Sequence, residues 1–61
     1  MNHATKIRII DDDDRDHVQT WGELRDCLTV SERSNFLYGI REHGRWSLTD
    51  NGTTYRMEVT A

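Results

Sequence analysis

"RWSLTDNGTTYRMEV", residues 45–59, decides the fold. Its Asn51-Gly52 pair is the preferred dipeptide for a two-residue type I′ hairpin, a turn whose two central residues both need positive φ. A two-residue turn also sets register. Asp50 faces Thr53, Leu48 faces Tyr55 and Trp46 faces Met57 on one side. On the other side Thr49 faces Thr54, Ser47 faces Arg56, and Arg45 faces Glu58 as an opposite-charge cross-strand pair. Turn chemistry and apolar alternation agree, so this stretch reads as two strands with one buried face.

Upstream, "ERSNFLYGIREHG", residues 32–44, reads as a helix. Ser31 is its expected N-cap, Phe36, Leu37 and Ile40 its apolar face, and Gly44 sits where a left-handed C-terminal cap belongs. Gly39 interrupts this helix at a cost of about 1 kcal/mol relative to alanine. Close approach of Trp46 or of the first helix would account for it, as would a backbone contact with a partner. "TWGELRDCLT", residues 20–29, opens with a capping box, Thr20 with Glu23, and places Trp21, Leu24 and Leu28 on one face. A tight turn near residues 29–31 joins the two helices. "TKIRII", residues 5–10, alternates: Ile7 and Ile9 point one way, Lys6 and Arg8 the other, as in a half-buried strand.

The expected fold is therefore α+β in the order β-α-α-β-β. It comprises a three-stranded sheet that includes the C-terminal hairpin, with two helices packed on one face. The opposite face is expected to be polar and open, and the strand order is not specified. The 61 residues suffice for one small domain. A domain of this size buries only about 60% of the surface its unfolded chain exposes, so its core is marginal. The lone Cys27 makes no internal disulfide and reads as a core or boundary residue of the first helix. No apolar run approaches membrane-spanning length, and the N-terminal "MNHATKIRII" lacks the apolar core of a signal peptide. With the free thiol, this points to a cytoplasmic protein.

The chain carries 11 acids against 8 bases, a net charge of −3. The imbalance is local: Asp11, Asp12, Asp13, Asp14 and Asp16 fall within six positions, directly after the first strand. Three readings of this run compete. As an EF-hand loop counted from Asp12, ligand positions 1, 3, 5 and 12 are Asp12, Asp14, Asp16 and Glu23. Position 6, however, is His17 where the loop needs glycine, so no metal is assigned. As a solvated connection, the acids would favour the positive N-terminus of the following helix. As an anionic display, alternate carboxylates of an extended segment, about 6.6–6.8 Å apart, would be spaced like successive phosphates and attract a basic nucleic-acid-binding surface.

No nucleophile–base motif and no glycine-rich phosphate loop is present, so neither enzymatic activity nor a cofactor is expected. The favoured expectation is a small non-enzymatic binding protein that occupies a basic surface on a larger protein. Asp11 to Asp14 and Asp16 would carry the electrostatics, and Tyr38, as an aromatic contact, or the open sheet face would supply the rest. In size and charge it is similar to small inhibitors encoded by bacteriophages and other mobile elements that act on nucleic-acid enzymes or defence complexes.

The alternative is a DNA-binding regulator. Residues 20–59 resemble, in architecture alone, a helix-turn-helix followed by a wing, and Arg33, Asn35, Arg41, Arg45 and Arg56 are the candidate DNA contacts. The usual first helix of that fold is replaced here by a strand. A third reading is a subunit of an obligate complex, a homo-oligomer included, completed through an exposed edge strand.

Overall fold

The computed structural model describes residues 1–60, and six elements follow one another along them: β1 (Lys6–Ile10), β2 (Asp16–Thr20), α1 (Trp21–Asp26), α2 (Val30–His43), β3 (Arg45–Asp50) and β4 (Thr53–Val59). The hairpin of β3 and β4 has the register that the Asn51-Gly52 turn dictates, from Asp50↔Thr53 to Arg45↔Glu58. Asn51 and Gly52 both take positive φ, 55° and 84°.

The sheet has four antiparallel strands, not three, in the order β2-β1-β4-β3. The added strand is β2, whose segment had read as part of an acidic connection. It pairs with β1 from Lys6↔Thr20 to Ile10↔Asp16. Its register puts His17 and Gln19 on the side of Ile9 and Ile7. Val18, its one large apolar residue, is therefore left on the open side, 54% exposed. The expected inside–outside alternation is thus inverted in β2, as an edge strand tolerates. The partner of β1 on its other side is β4, from Ile7↔Val59 to Ile10↔Arg56.

Both helices are held by capping boxes. Thr20 Oγ1 accepts the Glu23 amide at 3.2 Å, and Glu23 Oε1 accepts the Thr20 amide at 3.0 Å, as expected. The second box corrects the expected N-cap of α2 from Ser31 to Thr29. Thr29 accepts the Glu32 amide at 3.1 Å, while the Glu32 carboxylate accepts the Thr29 amide at 2.8 Å. Thr29-x-x-Glu32 supplies the reciprocal acceptor, whereas three residues after Ser31 stands Ser34, too short to reach back. Gly44 closes α2 in the left-handed conformation, φ 74°, donating its amide to the Ile40 carbonyl at 2.9 Å.

The core consists of Ile7, Ile9, Trp21, Leu24, Leu28, Phe36 and Met57, with Ile40, Trp46, Leu48 and Tyr55 packed around it. Phe36 is fully buried. It stacks on Trp21, with centroids 4.9 Å apart, and meets Trp46 edge-on at 5.6 Å. Leu37 is not part of the inner face and is 43% exposed. Gly39 takes that role instead, buried beside Phe36 and Ile40. Cys27 is also exposed rather than in the core, its thiol donating weakly to the Glu23 carbonyl at 3.7 Å.

Trp46 explains Gly39. A Cβ at position 39 would lie 2.9 Å from Trp46 Cδ1 and 3.1 Å from the Arg45 carbonyl oxygen. Helix propensity alone would make Gly39→Ala stabilising by about 1 kcal/mol. The packed indole and a strand carbonyl cannot both withdraw, and overpacking of this kind costs about 1–3 kcal/mol. Gly39→Ala is therefore expected to lower the melting temperature, and an unchanged or raised value in thermal unfolding would refute the close-packing account.

The α1 capping box has a pH signature. Hydrogen bonds from the Thr20 backbone and then from its hydroxyl hold the Glu23 carboxyl below its ordinary range. A depressed carboxyl pKa stabilises above the unfolded value, about 4.3, and that stabilisation is lost as pH falls through the folded value. Glu23→Gln keeps an acceptor but removes the titration. Its melting temperature should fall less steeply than wild type on acidification below about pH 4.3, and parallel profiles would dismiss the linkage.

Candidate functional site

The aspartate run is the turn of a β-hairpin. The Asp11 amide donates to the Arg15 carbonyl at 3.0 Å and the Asp14 amide to the Asp11 carbonyl at 3.1 Å, enclosing a three-residue loop, residues 12–14. Asp14 takes φ 59°, the left-handed residue that ends such loops. Aspartate is among the few side chains that enter this region readily. Within the loop, Asp11 Oδ1 accepts the amides of Asp13 at 2.9 Å and Arg15 at 3.1 Å, so its side chain acts as a template for the turn.

The other acids mostly have assigned contacts. Asp12 Oδ2 accepts the Thr54 amide at 3.0 Å, extending the β1–β4 ladder past its last pair, Ile10↔Arg56. Asp14 lies 3.5 Å from Arg56. Asp16 belongs to β2 and holds Arg8 through Nε at 3.2 Å and Nη2 at 2.6 Å. Asp13 alone of the five has a carboxylate with no hydrogen-bond or ion-pair partner among the described residues. The four EF-hand positions thus diverge: Asp12 to Thr54, Asp14 to Arg56, Asp16 to Arg8, Glu23 to Thr20. Among the described residues no group of three or more His, Cys, Asp or Glu side chains is arranged to hold a metal ion.

The β1–β4 pairing brings the two hairpin turns to one end of the sheet, as the Asp12–Thr54 and Asp14–Arg56 contacts record. Asp50, which flanks the second turn, is added to the five aspartates there. Sequence order hides this sixth acid, because it is about forty positions away from the run. Beside this end, an open groove of about 190 Å³ lies between the sheet and the α1–α2 corner, lined by Ile9, Leu48, Tyr55 and Met57 with His17 and Asp50.

The remaining candidates divide. Tyr38 is 57% exposed but lies on α2, in a second groove and apart from the aspartate turn. That groove, about 710 Å³, follows the edge strand β3 and is lined by Asn35, Tyr38, His43, Arg45, Trp46 and Arg56 among others. It is open and not an enclosed pocket. Three of the five candidate DNA contacts, Asn35, Arg45 and Arg56, meet there. Arg33 does not: its Nε donates to the Arg25 carbonyl at 2.7 Å and ties α2 to the end of α1. Arg41 stands 3.3 Å from Glu42 and 5.6 Å from the Tyr38 ring centroid. Arg45 faces Glu58 in register, yet the Glu58 carboxylate is taken by Arg8 at 3.4 Å, and Arg45 has no ion pair among the described residues. The chain matches no family model, and no curated protein or solved structure matches it.

These contacts rank the aspartates by structural cost. Asp11→Ala removes the acceptor for two turn amides and should cost about 1–2 kcal/mol, a fall of several degrees in melting temperature. Asp13→Ala should stay within about 0.5 kcal/mol. Equal losses in chemical denaturation would show that the turn does not depend on the Asp11 side chain.

Proposed function

We propose that this chain is a small non-enzymatic binding protein whose acidic end occupies a basic surface on a larger protein. The supporting observation is the convergence of two hairpin turns, which gathers Asp11 to Asp14, Asp16 and Asp50 at one end of a rigid sheet. Hydrogen bonds to backbone amides orient the Asp11 and Asp12 carboxylates before any partner arrives. Less ordering entropy is then lost on association than a mobile acidic tail would lose. The clustered charge speeds encounter with a cationic surface, and salt weakens the effect. A partner that ordinarily holds nucleic-acid phosphates, such as a nucleic-acid enzyme or a defence complex, has such a surface. Inhibition by occupancy follows from this reading.

Asparagine preserves the hydrogen-bond acceptors of the turns and tolerates left-handed φ. A variant with Asp12, Asp13, Asp14 and Asp50 all changed to Asn should therefore fold while losing the charge. In affinity capture from nuclease-treated lysate, the wild-type chain should retain a protein that leaves at high salt and that the variant does not retain. Retention of nucleic acid alone, or equal capture by the two baits, would refute the reading.

A further inference from the structure

We propose that the groove along β3 binds single-stranded nucleic acid, with a base stacked on Tyr38 and the phosphates met by Arg45 and Arg56. This site touches the acidic end only through the Arg56–Asp14 contact and does not rest on the reading of that end. Its volume, about 710 Å³, is that of an ordinary ligand site. Its charge is opposite to that of the chain as a whole. In a protein with 11 acids against 8 bases, the groove lining contains Arg45, Arg56 and His43 and no acid.

The free cation has a structural origin. Arg8 reaches both Asp16 and Glu58, so the cross-strand partner of Arg45 is already engaged. Arg56 is held only at 3.5 Å, by a carboxylate that is itself 89% exposed, and a phosphate can displace such a contact. The aromatic part is Tyr38, more than half exposed; His43 meets its ring edge-on at 6.5 Å, Arg41 lies over the ring at 5.6 Å and would have to shift or share it with a base, and Trp46 is half-buried in the same groove. Asn35 adds an amide that both donates and accepts, suited to a base edge.

An unpaired guanidinium, Arg45, and a weakly held one, Arg56, beside an exposed aromatic ring are the elements of single-strand binding, where bases stack and the backbone follows the positive charge. A duplex keeps its bases stacked on one another and offers none to Tyr38. Arg33, which would have to reach a duplex from α2, is held by the Arg25 carbonyl, and Arg41 lies over the Tyr38 ring.

The test is fluorescence anisotropy of labelled oligothymidylate and oligouridylate, each about twelve nucleotides, against a duplex of equal length. Melting curves confirm that each variant is folded. The single strands should bind more tightly than the duplex. Tyr38→Ala should weaken them roughly tenfold, and Tyr38→Phe, which keeps the ring, should not. Arg45→Gln should weaken binding and flatten its salt dependence. Two phosphate contacts predict a roughly sevenfold loss of affinity between about 50 and 200 mM salt. Neutralising Asp12 and Asp13 to Asn should leave affinity unchanged or raised. Three results would overturn the proposal: no binding by the folded wild type at the lower salt, equal affinity for the duplex, or displacement by polyglutamate of equal charge as effective as by unlabelled oligonucleotide.

Discussion

Everything in this fold leans on Phe36. It is fully buried, stacked on Trp21 from α1 and met edge-on by Trp46 from β3, so one ring joins both helices to the far edge of the sheet. Aromatic pairs of this kind contribute about 0.5–1.5 kcal/mol each beyond the area they bury. At about 0.05–0.15 kcal/mol per residue, a 61-residue domain has only some 3–9 kcal/mol in total, so two such pairs are a large share. The close fit sets further conditions. Trp46 lies against α2 only because position 39 has no side chain, and that approach gives the floor of the groove along β3.

Charge is distributed by a similar knock-on effect. Arg8, in the second of the four strands across the sheet, takes an acid from the strand on each side, Asp16 from β2 and Glu58 from β4. Each pair is exposed and worth about 0–1 kcal/mol, so the consequence for stability is slight. The consequence for the surface is larger. With Glu58 drawn toward Arg8, Arg45 faces solvent beside Tyr38 and Trp46, while the turns at the other end of the strands collect aspartates. A mildly acidic chain thereby becomes a molecule with unlike ends.

The parts of this arrangement that were legible in the sequence were those specified by local chemistry. Asn51-Gly52 gave the turn and register of the second hairpin, Thr20 with Glu23 the start of α1, Gly44 the end of α2, and Gly39 a close approach, made by Trp46 and not by α1. The β2 strand was hidden because its core-facing residues are His17 and Gln19 and its apolar residue faces outward, so no hydrophobic alternation marks it. Its turn was hidden because Asp14 occupies the left-handed position where glycine is the usual signal. A strand followed by Asp-rich sequence, with Asp able to serve both as turn acceptor and as left-handed residue, is the signal that could have exposed it. The groove was half legible: Asn35, Arg45 and Arg56 were singled out for nucleic acid, but together with Arg33 and Arg41, which lie outside it. Only the pairing of β3 with β4 beneath α2 brings the three together with Tyr38.

The strand order also determines how the chain can fold. β1 and β4 are neighbours at the centre of the sheet, joined by the Arg8–Glu58 contact across fifty positions of sequence. Each hairpin is local and can close within microseconds. Docking the two requires the whole intervening chain to be drawn into a loop before any β1–β4 contact repays it. The largest entropic cost thus falls on bringing the two hairpins together, and either hairpin without the other has a bare strand edge.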